Sequence, residues 1–311
     1  MRNKAGALPL FLLAACGFLL VLRPAGAEPF SPERPEWSGL AGSSSENVLA
    51  VGEYGAVAVF DGRAWTRGNC GSEIWLSAAI EFSPDRVFAA GYNGAILYHD
   101  GKAWKKLKTP VTNDLNGIWG SSPSDIYAVG DRGTILHYDG SEWKHQVSGT
   151  DNLLFGIWGS SSSDVYAVGG RATLLHLKNS GWEPVPLSEK THLTGIWGES
   201  AKSVYVVGDR GLILHYDGTG WKRMKSGTRT LIRGIWGLPG MAVFAFGDRG
   251  LLIERTRSRW IKMIPPTRES IRGIWGAAGD DLYVIADGGQ ILHYDGKEWR
   301  TSLGPVTGDP D

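Results

Sequence analysis

The stretch LNGIWGSSPSDIYAVGDRGTILHYDGSEWKHQVS, residues 115–148, decides how this chain folds. Asn116–Trp119 is a short apolar segment closed by Gly120, and the Ser/Pro/Asp cluster at 121–125 reads as a turn. Ile126–Val129 is a continuous apolar run, the mark of a strand covered on both faces. Gly130-Asp131-Arg132-Gly133 then turns the chain into a strand over Thr134–Tyr138. Asp139-Gly140 is a two-residue hairpin signal, because Gly tolerates the positive φ that a type I′ turn needs. A last strand, Glu142–His145, carries Trp143. The segment predicts four short antiparallel strands in a meander, here lettered A to D.

The same unit recurs every 39 residues, seven times, without insertion or deletion. The last position of Gly-Ile-Trp-Gly falls at Gly42, Glu81, Gly120, Gly159, Gly198, Gly237 and Gly276. Ten residues on stand Gly52, Gly91, Gly130, Gly169, Gly208, Gly247 and Ala286, and strand D carries Trp65, Trp104, Trp143, Trp182, Trp221, Trp260 and Trp299. Fixed periodicity of this kind marks a repeat architecture. A sheet apolar on both faces cannot stand alone, but seven can close radially so that each covers the next. An open solenoid would need atypical capping repeats with polar outer faces. The first and last units look ordinary, so the expectation is an all-β, seven-bladed β-propeller over residues 37–303, with blade 1 packed directly on blade 7.

The 14 Trp need a packing explanation first. Seven sit on strand D, five on strand A (Trp119, Trp158, Trp197, Trp236, Trp275), and Trp37 and Trp75 lie just outside the pattern. Burying one removes roughly 200 Å² from water, on the order of 5 kcal/mol gross. Residues repeated in every blade are read as blade-to-blade packing rather than sugar stacking. Ala41 and Ile80 interrupt the strand A series, and Glu81 replaces its Gly; as a lone acid at a strand end, Glu81 is expected to face solvent. In the C–D turn, blade 4 has Lys178-Asn179 and blade 6 has Thr256-Arg257 in place of Asp-Gly. Asn still suits a left-handed backbone. Thr-Arg does not, so an open or strained loop is expected in blade 6.

Residues 1–27 read as a secretory signal peptide: Arg2 and Lys4, an apolar run over 8–22, then Ala25-Gly26-Ala27. Leu13-Ala14-Ala15-Cys16 also resembles a bacterial lipobox, so a lipid on Cys16 is the alternative to cleavage after Ala27. Residues 28–36 are a linker and 304–311 a tail. The expectation is an exported protein, periplasmic or extracellular, with no transmembrane segment in the mature chain. Cys70 is then its only thiol, and no internal disulfide forms.

The whole chain is formally neutral, with 32 basic and 32 acidic residues. Without the leader the balance is 29 against 32. Residues 221–272 hold 12 basic residues and three acids, net +9, leaving −12 elsewhere. Such asymmetry suggests a partner-facing surface. In a four-strand meander the B–C turns and D–A connections emerge at one end. The B–C turns carry Arg132, Arg171, Arg210 and Arg249, where the other blades have Tyr54, Asn93 and Gly288. Arg233 and Arg272 open strand A at that end, and Lys225, Arg229 and Arg268 belong to D–A connections there. Two readings stand: a basic arc over blades 3–6 that binds a partner, or turn arginines that merely pair with Asp131, Asp209 and Asp248. Arg171 follows Gly170 and has no such neighbour. Arg255, Arg257 and Arg259 lie apart, toward the outer edge of blade 6.

Catalysis needs one site where the blades offer seven, so an enzyme should show its machinery among the breaks in the repeat. The breaks Ala41, Glu73, Trp75, Ile80, Glu81, Glu254-Arg255 and Ala286 hold no nucleophile–base pair and no carboxylate pair. His137, His176, His215 and His293 share one strand C position; in different blades they stand too far apart to ligate one metal, and each is read as a hydrogen bonder within its blade. No zinc spacing, P-loop or dinucleotide fingerprint occurs, so neither cofactor nor metal is expected. Nucleic acid does not suit an exported chain of net negative charge.

AVGDRGTILHYDGSEW (128–143), VVGDRGLILHYDGTGW (206–221) and IADGGQILHYDGKEW (285–299) resemble the repeats of the BNR-like and photosystem II assembly/stability-factor propellers. Those repeats run Val-Gly-x-x-Gly-x-Ile-Leu into Asp-Gly and a Trp. The resemblance spans residues 37–303 and implies the propeller fold. Sialidases carry a related Asp box, S-x-D-x-G-x-T-W, but Asp139-Gly140-Ser141-Glu142-Trp143 lacks its Ser and its spacing, and no sialidase arginine cluster or tyrosine nucleophile is identifiable. The assembly factors are non-enzymatic platforms for membrane-protein partners. The resemblance therefore implies a non-catalytic scaffold for a protein or anionic partner in the cell envelope. A multivalent glycan-binding lectin and, behind it, a glycoside hydrolase are the alternatives.

Overall fold

Apolar residues on both sides of strands B and C leave each 39-residue unit no stable form but a covered sheet. The computed structural model, which describes residues 35–304 except 179, 180 and 258, contains seven such sheets. Each has four antiparallel strands in the order A-B-C-D. In blade 3 these are Leu115–Ser122, Asp125–Gly130, Ile135–Tyr138 and Trp143–Gln146. Neighbouring blades meet chiefly through their A strands, which line the axis, and blade 1 meets blade 7 in the same way. The result is a closed seven-bladed β-propeller in which every blade is one continuous stretch of chain, with no strand shared across the closure. The leader at 1–27, its Cys16, and residues 305–311 of the tail lie outside the described residues, as does the 179–180 turn.

Strand A runs two residues further than the Gly at 120 suggests. Ser121 Oγ donates to Asp125 Oδ2 at 2.5 Å across the turn, so polar side chains carry the ladder to the end of the blade. The hairpin types also differ from expectation. In the C–D turn the positive φ falls on Gly140 (+90°) and not on Ser141, as in a type II′ turn. Asp139 Oδ1 accepts the Ser141 and Glu142 N–H groups, both at 3.0 Å. The type I′ geometry belongs to the B–C turn, where Arg132 (φ 53°) and Gly133 (φ 65°) are both left-handed. In blade 6 the C–D loop is closed, not open: Thr256 N–H donates to Arg259 O at 2.8 Å, and Thr256 Oγ1 to the same oxygen at 2.7 Å. Thr256 Oγ1 also accepts the Arg259 N–H at 3.3 Å, as the Asp carboxylate accepts the equivalent N–H elsewhere.

The tryptophans hold the seams. A strand A Trp lies against the strand A Gly of the next blade so closely that a Cβ on Gly159 would stand 2.6 Å from Trp119 Cη2. The same contact closes the ring, with Trp275 of blade 7 on Gly42 of blade 1 at 2.7 Å. Farther out, the strand D Trp of one blade stands edge-on to the strand B Tyr of the preceding blade: Trp182 on Tyr127, Trp221 on Tyr166, Trp260 on Tyr205, and Trp65 on Tyr283 across the closure. Each Tyr stacks on the strand C His of its own blade, 3.8–4.4 Å between centroids. His137, His176 and His293 bond Asp125, Asp164 and Asp281, while His215 bonds Ser203 at 3.1 Å. The repeated His is a structural hydrogen bonder. Trp37 is not outside the pattern: it takes the strand A position of Leu76 and Leu115 and is buried in the blade 7–blade 1 core. Cys70, also buried, takes the position of Ser148 and Ser226.

Glu81 is half-buried against blade 1 and does not simply face solvent. Blade 1 has Ala41 where blades 3–7 have Trp, and the space this leaves beside blade 2 is where Gly gives way to Glu81. Its carboxylate accepts from Asn47 Nδ2 of blade 1. Burial pushes the Glu81 carboxyl above the usual glutamate range, against a lowering hydrogen bond with Ser43. Ala41 and Glu81 thus replace a Trp–Gly contact as a matched pair. Ala41→Trp alone should cost about 1–3 kcal/mol by overpacking. Glu81→Gly alone should cost a similar amount by opening a gap. The double variant should recover at least about 1 kcal/mol of the summed loss in urea unfolding, and strict additivity would refute the pairing.

The raised pKa sets a pH dependence. An acid whose folded pKa is raised weakens the fold when ionised, and the fold gains stability as pH falls through that raised value. Glu81→Gln should therefore raise the melting temperature most near neutral pH. Its advantage should shrink toward about pH 4, where both proteins are neutral at this position.

Candidate functional site

The B–C turns and D–A connections meet at one end of the propeller. In every blade the first turn residue donates its N–H to the carbonyl of the residue that leads into strand A of the same blade, as Asp131 does to Asp114 O at 2.9 Å. The second turn residue is left-handed in all seven blades: Tyr54, Asn93, Arg132, Arg171, Arg210, Arg249 and Gly288, with φ between 52° and 79°. Asn and Gly suit that conformation; Arg and Tyr do not, and L-residues there carry about 1–2 kcal/mol of strain. In blade 4 the third residue, Ala172 (φ 57°), is a second non-glycine in the left-handed region.

All four turn arginines are exposed, and among the described residues none forms an ion pair. The carboxylates beside them are engaged elsewhere. Asp131 accepts from Asn116 Nδ2 at 3.1 Å, Asp209 from the His192 N–H at 3.3 Å, and Asp248 from Arg233. The bland alternative, in which each arginine pairs with its neighbouring Asp, is not what the side chains do.

Arg233 and Arg272 behave differently. Both are half-buried at the channel mouth and paired, Arg233 with Asp248 and Arg272 with Asp287, the latter bidentately at 2.5 and 3.1 Å. Their charge is spent inside the blade, so they do not belong with the free arginines. Lys225, Arg229 and Arg268 are exposed on the D–A connections after blades 5 and 6. Arg255 and Arg257 lie at the opposite end, where Arg255 Nη2 donates to Arg257 O at 3.4 Å.

Inside the ring of arginines the mouth carries carboxylates. Burial raises the Asp131 pKa, helped by the charge of Asp114, and raises that of Glu36, whose carboxylate accepts the Gly288 N–H at 3.0 Å across the blade 7–blade 1 seam. Tyr92 stacks on Trp75 at 5.4 Å and is pushed up first by burial, then by Asp114, Asp131 and Glu53. The end is therefore acidic near the axis on blades 1–3 and basic farther out on blades 3–6. Among the described residues, no group of three or more His, Cys, Asp or Glu could hold a metal ion, and no helix is long and apolar enough to cross a membrane.

Solved structures with this architecture include YCF48 bound to D1 peptide, 15% identical with a TM-score of 0.69, over 84% of this chain and 91% of that one. YCF48 from Cyanidioschyzon merolae is 14% identical with a TM-score of 0.68, over 87% and 98%. The WD40 β-propeller domain of Doa1 is 10% identical with a TM-score of 0.72, over 83% and 91%. No family model matches the sequence, and no curated protein does. The similarity is one of fold: it supports the β-propeller, and no sequence match supports the BNR-like family in particular.

Sequence reading found the arginines but missed their backbone. The signal was available, because Asn93-Gly94 and Gly288-Gly289, both type I′ pairs, align with Arg132-Gly133. Replacing Arg132, Arg171, Arg210 and Arg249 together by Asn should stabilise the protein by about 0.5–1 kcal/mol per site, since Asn tolerates the left-handed region. Guanidine unfolding measures this. A loss of stability would mean that the arginines serve the fold.

Proposed function

We propose that the protein is a non-catalytic, exported scaffold that binds a protein or other anionic partner in the cell envelope through a basic face on blades 3–6. The observation that carries this reading is the set of four exposed guanidinium groups, each held on a strained left-handed turn and, among the described residues, none in an ion pair. Lys225, Arg229 and Arg268 extend the same positive field. Arg233 and Arg272, drawn into ion pairs, shape the mouth and are not contact residues in this reading. The likeness in fold to YCF48, in one structure bound to a D1 peptide, supports a polypeptide partner. The leader at residues 1–27 supports export, with Cys16 lipidation as the other route to the envelope.

Sugar stacking fits less well, because the strand D tryptophans at four seams are already used against tyrosines. The His–Asp pairs recur as part of blade packing and offer no unique centre, which supports a role without catalysis.

The test is a charge reversal. Arg132, Arg171, Arg210 and Arg249 changed together to Glu should abolish capture of an envelope partner by the immobilised protein, with a cooperative thermal melt retained. Binding by the wild type should weaken steeply with salt, as exposed charge pairs do. Capture that survives both treatments would rule the arc out.

A further inference from the structure

Two grooves occupy the same repeat position on either side of blade 4. One, of about 270 Å³, lies between blades 3 and 4; the other, of about 320 Å³, lies between blades 4 and 5. Each is formed by a D–A connection on one side and by the strand C and D residues of the next blade on the other. Their rims differ in charge. At the second groove Glu189 lies 3.3 Å from Arg223, so the rim carries an acid already paired with a base. The first has Leu174, Leu175 and Trp182 within it and Ser148, Thr150 and Asn152 along the connection.

The first groove also sits between two arginines of the arc. Its connection covers the blade 3 turn, where Gly133 N–H donates to Asn152 O at 2.8 Å, next to Arg132. Its far wall begins at Ala172, the residue after Arg171. Arg171 follows Gly170 and so lacks even a neighbouring carboxylate. Val147, which precedes Ser148, is 82% exposed and extends the apolar surface outward. A single exposed valine means little. An exposed valine beside a groove of mixed lining, where Trp182, Pro184 and Val185 supply the apolar wall, with an exposed guanidinium on each side, is a specific combination.

We infer that the blade 3–4 groove is the anchor of the basic face: it takes one large apolar side chain of a partner polypeptide whose flanking acidic residues meet Arg132 and Arg171. This rests on the basic-face reading above and narrows its partner to an acidic segment with an embedded Leu- or Phe-sized residue. Interfaces concentrate their energy in such pocketed anchors, while surrounding charges steer the encounter and set its register.

The test uses two fluorescently labelled 12-residue peptides of Asp, Glu, Gly and Ser, identical except for a central Phe or Ser, titrated with the protein at low salt. The Phe peptide should bind about tenfold more tightly or better. Pro184→Trp, an exposed groove-lining substitution, should reduce its affinity to that of the Ser peptide and leave the Ser peptide unaffected. Equal affinities for the wild type would overturn the anchor while sparing the basic face. Failure of both peptides to bind would overturn the basic face and the anchor with it. The wild-type comparison decides the matter even if the variant proves unstable.

Discussion

Most seams of the ring depend on a large aromatic group meeting a glycine that must not have a side chain. Where Trp119 lies on Gly159, or Trp275 on Gly42, the approach is too close for a Cβ, so the pair fixes how near two blades stand and at what height. Because one blade supplies the Trp and the next supplies the Gly, the contact has a direction around the ring. A strictly directional contact repeated in identical units either propagates without end or closes on itself. Here it closes, and the blade 7–blade 1 seam repeats the inner Trp–Gly contact and the outer Trp–Tyr contact found elsewhere. No exchanged strand is needed, because the seam that closes the ring is like those that build it.

The same logic distributes freedom among the residues of a blade. Strands A to C are committed to covering their neighbours, and the C–D turn needs a side-chain oxygen to bond its own backbone. The B–C turn makes a different demand. It requires a left-handed backbone at its second residue but leaves that side chain pointing out of the fold, so folding alone would favour Asn or Gly. Asn93 and Gly288 satisfy that preference. The arginines of four consecutive blades go against it. The channel-mouth carboxylates show that charge at this end is otherwise well managed: Arg233 and Arg272 neutralise Asp248 and Asp287, and Asn116 satisfies Asp131.

The architecture was legible because it rests on spacing, and a 39-residue period with aligned Trp and Gly has few physical solutions. What was not legible depends on offsets between blades. Ala41 and Glu81 each stand out as a break in the sequence, yet their relation appears only when strand A of blade 1 is laid against strand A of blade 2. Arg233 and Asp248 lie 15 residues apart, and their pairing needs the register that sets Ile232 opposite Gly247. The grooves beside blade 4 arise where connecting segments and blade faces meet, which no repeat alignment expresses. Leu187-Ser188 in place of Ser148-Gly149 marks the departure of one such connection without revealing its shape.

Departures from the repeat are therefore informative according to whether they are compensated. Blade 6 replaces Tyr, His and Asp of the seam unit by Phe244, Glu254 and Ala242 together, so neither a lone His nor a lone Asp of that unit remains. Ala41 and Glu81 change as a pair, and Thr256 substitutes for the Asp of its turn. Selection for folding leaves such sets behind, because a lone change strands a polar group or a cavity. At the B–C turns the backbone is looked after: Arg171 N–H even finds His192 Nδ1 at 3.1 Å. The guanidinium groups are not. Among the described residues none of them forms an ion pair, although Arg132 acts on Asp131 through its charge, and the turn they occupy would be more stable with Asn or Gly. A strain repeated four times in neighbouring blades is what the proposed basic face would account for.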